Sequence, residues 1–224
     1  MVLKYFKGIF EGRTTFFVLY AIILLVGIVV LNRIEHGDET LFFSQNHTTF
    51  WDAFFTLGTR MGEPYAYAFL GICLLFVRYG YALLLPLIGI TVTVVSEVLK
   101  KTFPELRPYN FFNDMGRISE LNFVKGVRVF QDYTAFPSGH TMSGFAIYGF
   151  LALVSGKNPI YQVFFLFCAF WVGFSRMYLL QHFLNDVLAG SLVGVYLAML
   201  FYYLHLKYSK IDGFWSKSLI TKSV

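Results

Sequence analysis

Charge is scarce in this chain. Of 224 residues, 18 are Lys or Arg and 13 are Asp or Glu, 14% together, against 57% apolar and 20% aromatic residues. That balance leaves too little polar surface to cover a water-soluble domain and, with a mean hydropathy of +0.60, it marks an integral membrane protein. Cysteine is nearly missing. Cys73 and Cys168 each stand in the middle of an apolar run, which excludes a disulfide framework or a cysteine metal cluster and leaves both as lipid-facing or packing residues. Internal repeats, low-complexity tracts and a separate soluble module are also missing, so the chain reads as one domain over residues 1–224. The net charge of +5 would suit nucleic acid, but no basic helix stands apart from the apolar runs. Nucleic acid is therefore excluded as a partner, and the excess is read as positive-inside topology.

What the chain does have is long apolar runs, near Thr14–Leu31, Tyr65–Val77, Tyr81–Leu99, Ser138–Val154, Ile160–Phe174 and Phe183–Leu204. About 20 apolar residues cross a hydrocarbon core, so the expected fold is all-α, a bundle of six transmembrane helices. The first run follows Lys4, Lys7 and Arg13 but lacks a small-x-small cleavage site, and is read as a retained span rather than a secretory leader. The second run is short. Its start is open back to Phe50–Leu57, with an interfacial or re-entrant helix near Trp51 as the alternative. With cytoplasmic termini, Lys4, Lys7, Arg13, Arg78, Lys157, Lys207, Lys210, Lys217 and Lys222 all fall inside. Glu35, Asp38, Glu39 and the loop from Lys100 to Phe136 then fall outside. Its 109–136 segment is long enough to act as a lid or gate.

The few charges that remain are concentrated in three segments: Lys100–Pro108 (KKTFPELRP), Pro137–His140 (PSGH) and Ser175–Asp186 (SRMYLLQHFLND). By the span order all three reach the outer face. Unpaired charge at bilayer depth is costly, so Lys100, Arg107, Arg176, His140, His182 and Asp186 need a chemical reason to be there. Lys100 and Arg107 lie two helical turns apart, with Pro104 and Pro108 breaking the helix between them so that Arg107 points back. Ser138 is placed to cap a helix whose first N–H groups, on Ser138, Gly139 and His140, face an anion. Gly139 allows close approach, and His140 is placed to give or take a proton. His182 and Asp186 are spaced i, i+4, which on a helix lets the carboxylate hold one ring nitrogen and sharpen the other as nucleophile or base. Each segment alone also admits a structural reading: interfacial snorkelling cations, an ordinary N-cap, a buried His–Asp pair. Together they favour an oxyanion site.

The set resembles the type 2 phosphatidic acid phosphatase family, whose signature is K-x6-RP, then PSGH, then SR-x5-H-x3-D. Every signature position is matched, at Lys100, Arg107, Pro108, Pro137, Ser138, Gly139, His140, Ser175, Arg176, His182 and Asp186. The resemblance implies a metal-independent phosphatase working without a cofactor. His182 would attack phosphorus, Asp186 would orient it, and His140 would protonate the leaving oxygen and then activate water. Lys100, Arg107, Arg176 and the Ser138–Gly139 turn would bind the phosphoryl oxygens. No carboxylate cluster or His-x-His pattern offers a metal site. Substrates of similar enzymes are undecaprenyl pyrophosphate, phosphatidylglycerophosphate, phosphatidate and lipid A phosphates. The polyprenyl pyrophosphate is the expectation here, at the outer face of an inner membrane. A lipid-to-lipid phosphotransferase is the main alternative. A vanadium haloperoxidase, whose relatives are soluble, and a non-catalytic anion transporter fit less well. Gly190-x3-Gly194 points to close helix packing, within the bundle or between subunits.

Overall fold

The computed structural model describes residues 8–208 and 213–220, all helix, turn or loop. Lys4, Lys7, Lys210 and Lys222 lie outside the described residues. The helices are α1 (Thr14–Leu31), α2 (Asp38–Gln45), α3 (Thr49–Arg60), α4 (Pro64–Leu75), α5 (Tyr79–Thr102), α6 (Pro108–Asp114), α7 (Gly139–Val154), α8 (Pro159–Tyr178) and α9 (Leu184–Tyr208), with short 3-10 turns at Ile118–Glu120 and Phe214–Ser216.

Starts and stops follow local chemistry. Proline opens α4, α6 and α8, where its missing N–H costs nothing. Thr48, Ser138 and Asn158 cap α3, α7 and α8 through side-chain oxygens. α1, α5, α8 and α9 are long and apolar enough to cross a membrane, while α4 and α7 are apolar but shorter. All six expected runs are therefore helical. α4 does not extend back through Phe50–Leu57: that stretch is the separate helix α3, and the chain turns at residues 61–63 before α4 begins.

The bundle is built around α7, which packs against α5, α8 and α9. Every residue from Thr141 to Leu153 is buried, so this helix meets protein on all sides and does not need the length of a lipid-facing span. Gly190 and Gly194 let α9 lie directly on it: a Cβ at either would stand 2.6 Å from a carbonyl oxygen of α7's start, Ser138 or Met142. This pair is thus used inside the bundle. The outer faces of α1, α5 and α8 carry Leu25, Val29, Ile90, Val98, Phe164 and Phe167, all exposed, a surface suited to hydrocarbon.

One end of the bundle is basic and pinned by the terminal segments. Arg13 Nε donates to Leu153 O at 2.6 Å, Lys157 lies 3.8 Å from Glu11, and Arg78 Nε donates to Trp215 O at 3.1 Å. The three chemistry-bearing segments are at the opposite end. There the 109–136 segment is not a bare loop. It opens with α6, Asn110 Nδ2 donates to Gln131 O (2.9 Å) and Asp132 O (3.2 Å), and Ala135 N donates to Glu105 O (3.1 Å). Phe112, Leu121 and Leu180 form a small apolar cluster beneath it.

Candidate active site

Lys100 comes from the last turn of α5 and is half-buried. Arg107 caps α6 in extended backbone and is 4% exposed. Its Nε donates to Asp132 Oδ1 at 2.7 Å, its Nη1 to Gln181 O at 3.0 Å, and the same Nη1 lies 3.2 Å from His182 Nε2. Phe130 stacks under the guanidinium at 4.7 Å. Burial alone would push the Asp132 carboxyl up, but hydrogen bonds from Arg107 and Thr134 outweigh it and hold the group below its usual range. It stays ionised opposite Arg107.

Arg176, buried near the end of α8, donates from Nη1 to Thr59 Oγ1. Its Nε has no partner, and no carboxylate lies at ion-pair distance among the described residues. A buried guanidinium with no carboxylate in direct contact favours an anionic ligand. After α8 the chain reverses through Leu180, whose φ of 53° is a left-handed conformation costly for a branched side chain. Gln181 N and His182 N both return to Arg176 O, at 3.0 and 3.3 Å. That turn brings His182 to Arg107.

His182 is not on a helix with Asp186. It precedes α9, and Asp186, in the first turn, reaches back to it. Asp186 Oδ2 accepts from Phe183 N at 3.0 Å, one half of a capping box, and lies 3.1 Å from His182 Nδ1. A carboxylate at this position accepts only from an Nδ1–H, and Arg107, a donor only, needs a lone pair on Nε2. Both neighbours select the same tautomer, with the Nε2 lone pair facing the cations. Burial, then the charges of Arg107, Arg176 and Lys100, hold the imidazole well below its ordinary protonation range. It is neutral, the state in which an imidazole can act as a nucleophile.

At the start of α7, Ser138 N donates to Asp186 O at 3.0 Å. The expectation that this N–H faces an anion is corrected: it fastens α7 to α9, leaving Gly139 and His140 as the open end. Ser138 Oγ caps Thr141 N at 3.4 Å. His140, on the first turn, borders a groove of about 480 Å³ between α4 and α5, lined by Tyr67, Pro86, Ile90 and Ser96. A second, almost wholly apolar cleft of about 370 Å³ between α1, α8 and α9 contains neither histidine in its lining.

The three segments thus meet through direct bonds: Arg107 to His182, His182 to Asp186, Asp186 to Ser138. Sequence reasoning missed Asp132, Phe130, Gln181 and Thr59. Asp132 and Phe130 stood in the charged loop without a spacing that singled them out, and Thr59 stood in an amphipathic stretch with no signal at all.

A pocket of converging cations around a neutral, carboxylate-held histidine, set in an apolar helical bundle, belongs to membrane phosphoryl chemistry. The chain belongs to the PAP2 superfamily, whose model matches residues 75–210 and so includes every signature position. It is similar to the lipid A 1-phosphatase of Rhizobium johnstonii, 33% identical over 107 residues, which cover 48% of this chain and 41% of that protein. It is also similar to the lipid A 4'-phosphatase of Bacteroides thetaiotaomicron, 29% identical over 171 residues, 73% of this chain and 74% of the other. The match to the first of these spans about two fifths of the relative's length. Among solved structures, Aquifex aeolicus LpxE superposes with a TM-score of 0.62 at 25% identity, covering 77% of this chain and 95% of that one. A transmembrane PAP2 type phosphatidylglycerolphosphate phosphatase from Bacillus subtilis gives 0.62 at 24%, over 89% and 98%. With its long apolar helices, the protein is a multi-pass membrane protein.

Proposed function

We propose that this chain is a membrane lipid phosphatase that hydrolyses a phosphomonoester or pyrophosphate lipid through a phosphohistidine intermediate. The observation that carries the reading is the state of His182: Nδ1 at 3.1 Å from Asp186 and Nε2 turned to Arg107 at 3.2 Å. Nε2 attacks phosphorus while the bond from phosphorus to the lipid oxygen breaks. His140, as imidazolium, gives its proton to that oxygen. The phosphorylated ring carries positive charge opposite Asp186. Neutral His140 then takes a proton from water, whose oxygen attacks phosphorus as the P–N bond breaks. Lys100, Arg107, Arg176 and the Gly139–His140 backbone hold the non-bridging oxygens, where preorganised charge contributes most to such transfers.

In this reading residues 1–224 form one domain of six spans, with N- and C-termini cytoplasmic in an inner membrane and the site on the extracytoplasmic face. It is supported by Arg13, Arg78, Lys157 and Lys217 standing at the end of the bundle opposite His140 and His182. The groove beside His140 leads along α4 and α5, which suits a tail that stays in the bilayer while its head is cleaved. The named activities of the two lipid A phosphatases move lipid A phosphates ahead of undecaprenyl pyrophosphate as the first substrate to try.

The test is phosphate release by detergent-purified protein, in EDTA, from lipid A, phosphatidylglycerophosphate, phosphatidate and undecaprenyl pyrophosphate. Release unaffected by the chelator, highest with lipid A, is expected. Phosphate that appears on a second lipid instead of in solution establishes transfer, and release abolished by the chelator overturns the metal-independent mechanism. A second expectation concerns the acid. His140→Ala should lower turnover of an alkyl phosphate lipid by about 10²-fold, the low end of general acid catalysis. It should cost an activated aryl phosphate far less, since that leaving group departs without a proton. Equal losses on both would remove His140 from the acid role.

A further inference from the structure

Residues 59–63 carry no signature position, yet they touch the site repeatedly. Thr59 Oγ1 accepts from Arg176. Gly62 lies flat against the start of α7, where a Cβ would come within 3.0 Å of His140 O and 2.7 Å of Val172 Cγ1. Glu63 then places Oε1 3.8 Å from His140 Nε2. The turn is held by α7 itself: Ser143 Oγ donates to Gly62 O at 2.7 Å and Tyr148 Oη to Met61 O at 3.0 Å. Glu63 is the N-cap residue of α4, yet its side chain makes no capping bond, so the carboxylate is not spent on the helix it precedes.

The groups around His140 are otherwise cationic or neutral. Lys100 comes from α5, Arg107 from the start of α6, Arg176 from α8, His182 from the turn before α9 and Tyr67 from α4. Among the described residues Glu63 is the one carboxylate within ion-pair distance of His140. We propose that Glu63 is a positioning residue for His140: its carboxylate orients the ring and stabilises the imidazolium that protonates the leaving oxygen, making the α3–α4 turn a fourth segment of the active site. The inference rests on His140 being the acid of the proposed phosphatase.

At 3.8 Å the contact is too long for a hydrogen bond and becomes an ion pair when His140 is protonated, and each side chain is 32% exposed, so its effect belongs at the low end for opposite charges. The sign is fixed. The negative charge favours the protonated ring, so its removal makes His140 lose its proton at lower pH.

The experiment compares the full-length protein with Glu63→Gln, which keeps shape, and Glu63→Asp, which keeps charge. kcat and KM are measured across pH with an alkyl phosphate lipid and an aryl phosphate. Glu63→Gln should move the basic limb for the lipid down by about one pH unit and lower kcat above it by about tenfold, with KM little changed. The aryl phosphate should lose much less, and Glu63→Asp should recover most of the limb. An unmoved limb in Glu63→Gln, or equal losses on both substrates, overturns the proposal. His182→Ala and His140→Ala run alongside. An active His182→Ala protein overturns the phosphohistidine mechanism on which the inference rests, whereas an inactive one beside an unmoved Glu63→Gln limb overturns only the role of Glu63.

Discussion

Replacing His182 with alanine is expected to lower turnover by about 10⁶-fold, the scale seen when the nucleophile of a covalent mechanism is removed, while substrate affinity stays largely intact. The split follows from the division of labour in the site. In the proposed mechanism binding comes from Lys100, Arg107 and Arg176, and neither arginine depends on the imidazole alone: Arg107 keeps Asp132 and Gln181, and Arg176 keeps Thr59. In that mechanism bond formation comes from Nε2 alone. Steady-state phosphate release and vanadate inhibition on the same preparation check both halves. The native enzyme should also give an acid-labile labelled protein when quenched during turnover of a phosphate-labelled lipid, and the variant none. Activity above about a hundredth of native, four orders over the level expected for nucleophile loss, would mean that another group, or water directly, attacks phosphorus.

How much of this was legible beforehand depended on the range over which each residue acts. The signature positions were legible because phosphate binding needs fixed residue types at fixed local spacing, and the apolar runs were legible because lipid imposes hydrophobicity on every turn of α1, α5 and α8. The His182–Asp186 pair was found for a partly mistaken reason. The i, i+4 spacing suggested a shared helix face, whereas the carboxylate reaches back from the first turn of α9 to a histidine in the preceding turn. The N–H of Ser138 was misjudged because its partner, the carbonyl of Asp186, is 48 positions away in the sequence. Thr59, Glu63 and Asp132 were illegible for the same reason. Each acts across the bundle on a signature residue, and the contacts that put them there, such as Ser143 to Gly62, are made by buried polar groups whose partners no local pattern reveals.

Asp186→Asn should reduce kcat by about 10²- to 10³-fold, comparable to losing one strong preorganised electrostatic contact in a water-excluded site, with little loss of fold. Asp186 is fully buried, and Oδ2 takes both the Nδ1–H of His182 and the N–H of Phe183. An asparagine can set its carbonyl oxygen there and keep both bonds. Its amide nitrogen then occupies the position of Oδ1, which has no partner in the native protein. Geometry and tautomer survive and only the negative charge is lost. In the proposed mechanism that charge matters most after attack, when Nε2 carries the phosphoryl group, Nδ1 keeps its proton and the ring is cationic beside Arg107 and Arg176. Asp186→Ala should fall further and also melt at lower temperature, because it strands the Phe183 N–H and removes the tautomer bias. Measuring kcat, KM and melting temperature for both variants separates the two contributions. If Asn matches the native enzyme while Ala fails, Asp186 acts by orientation alone, and the phosphohistidine would have to be stabilised by charge from elsewhere in the site.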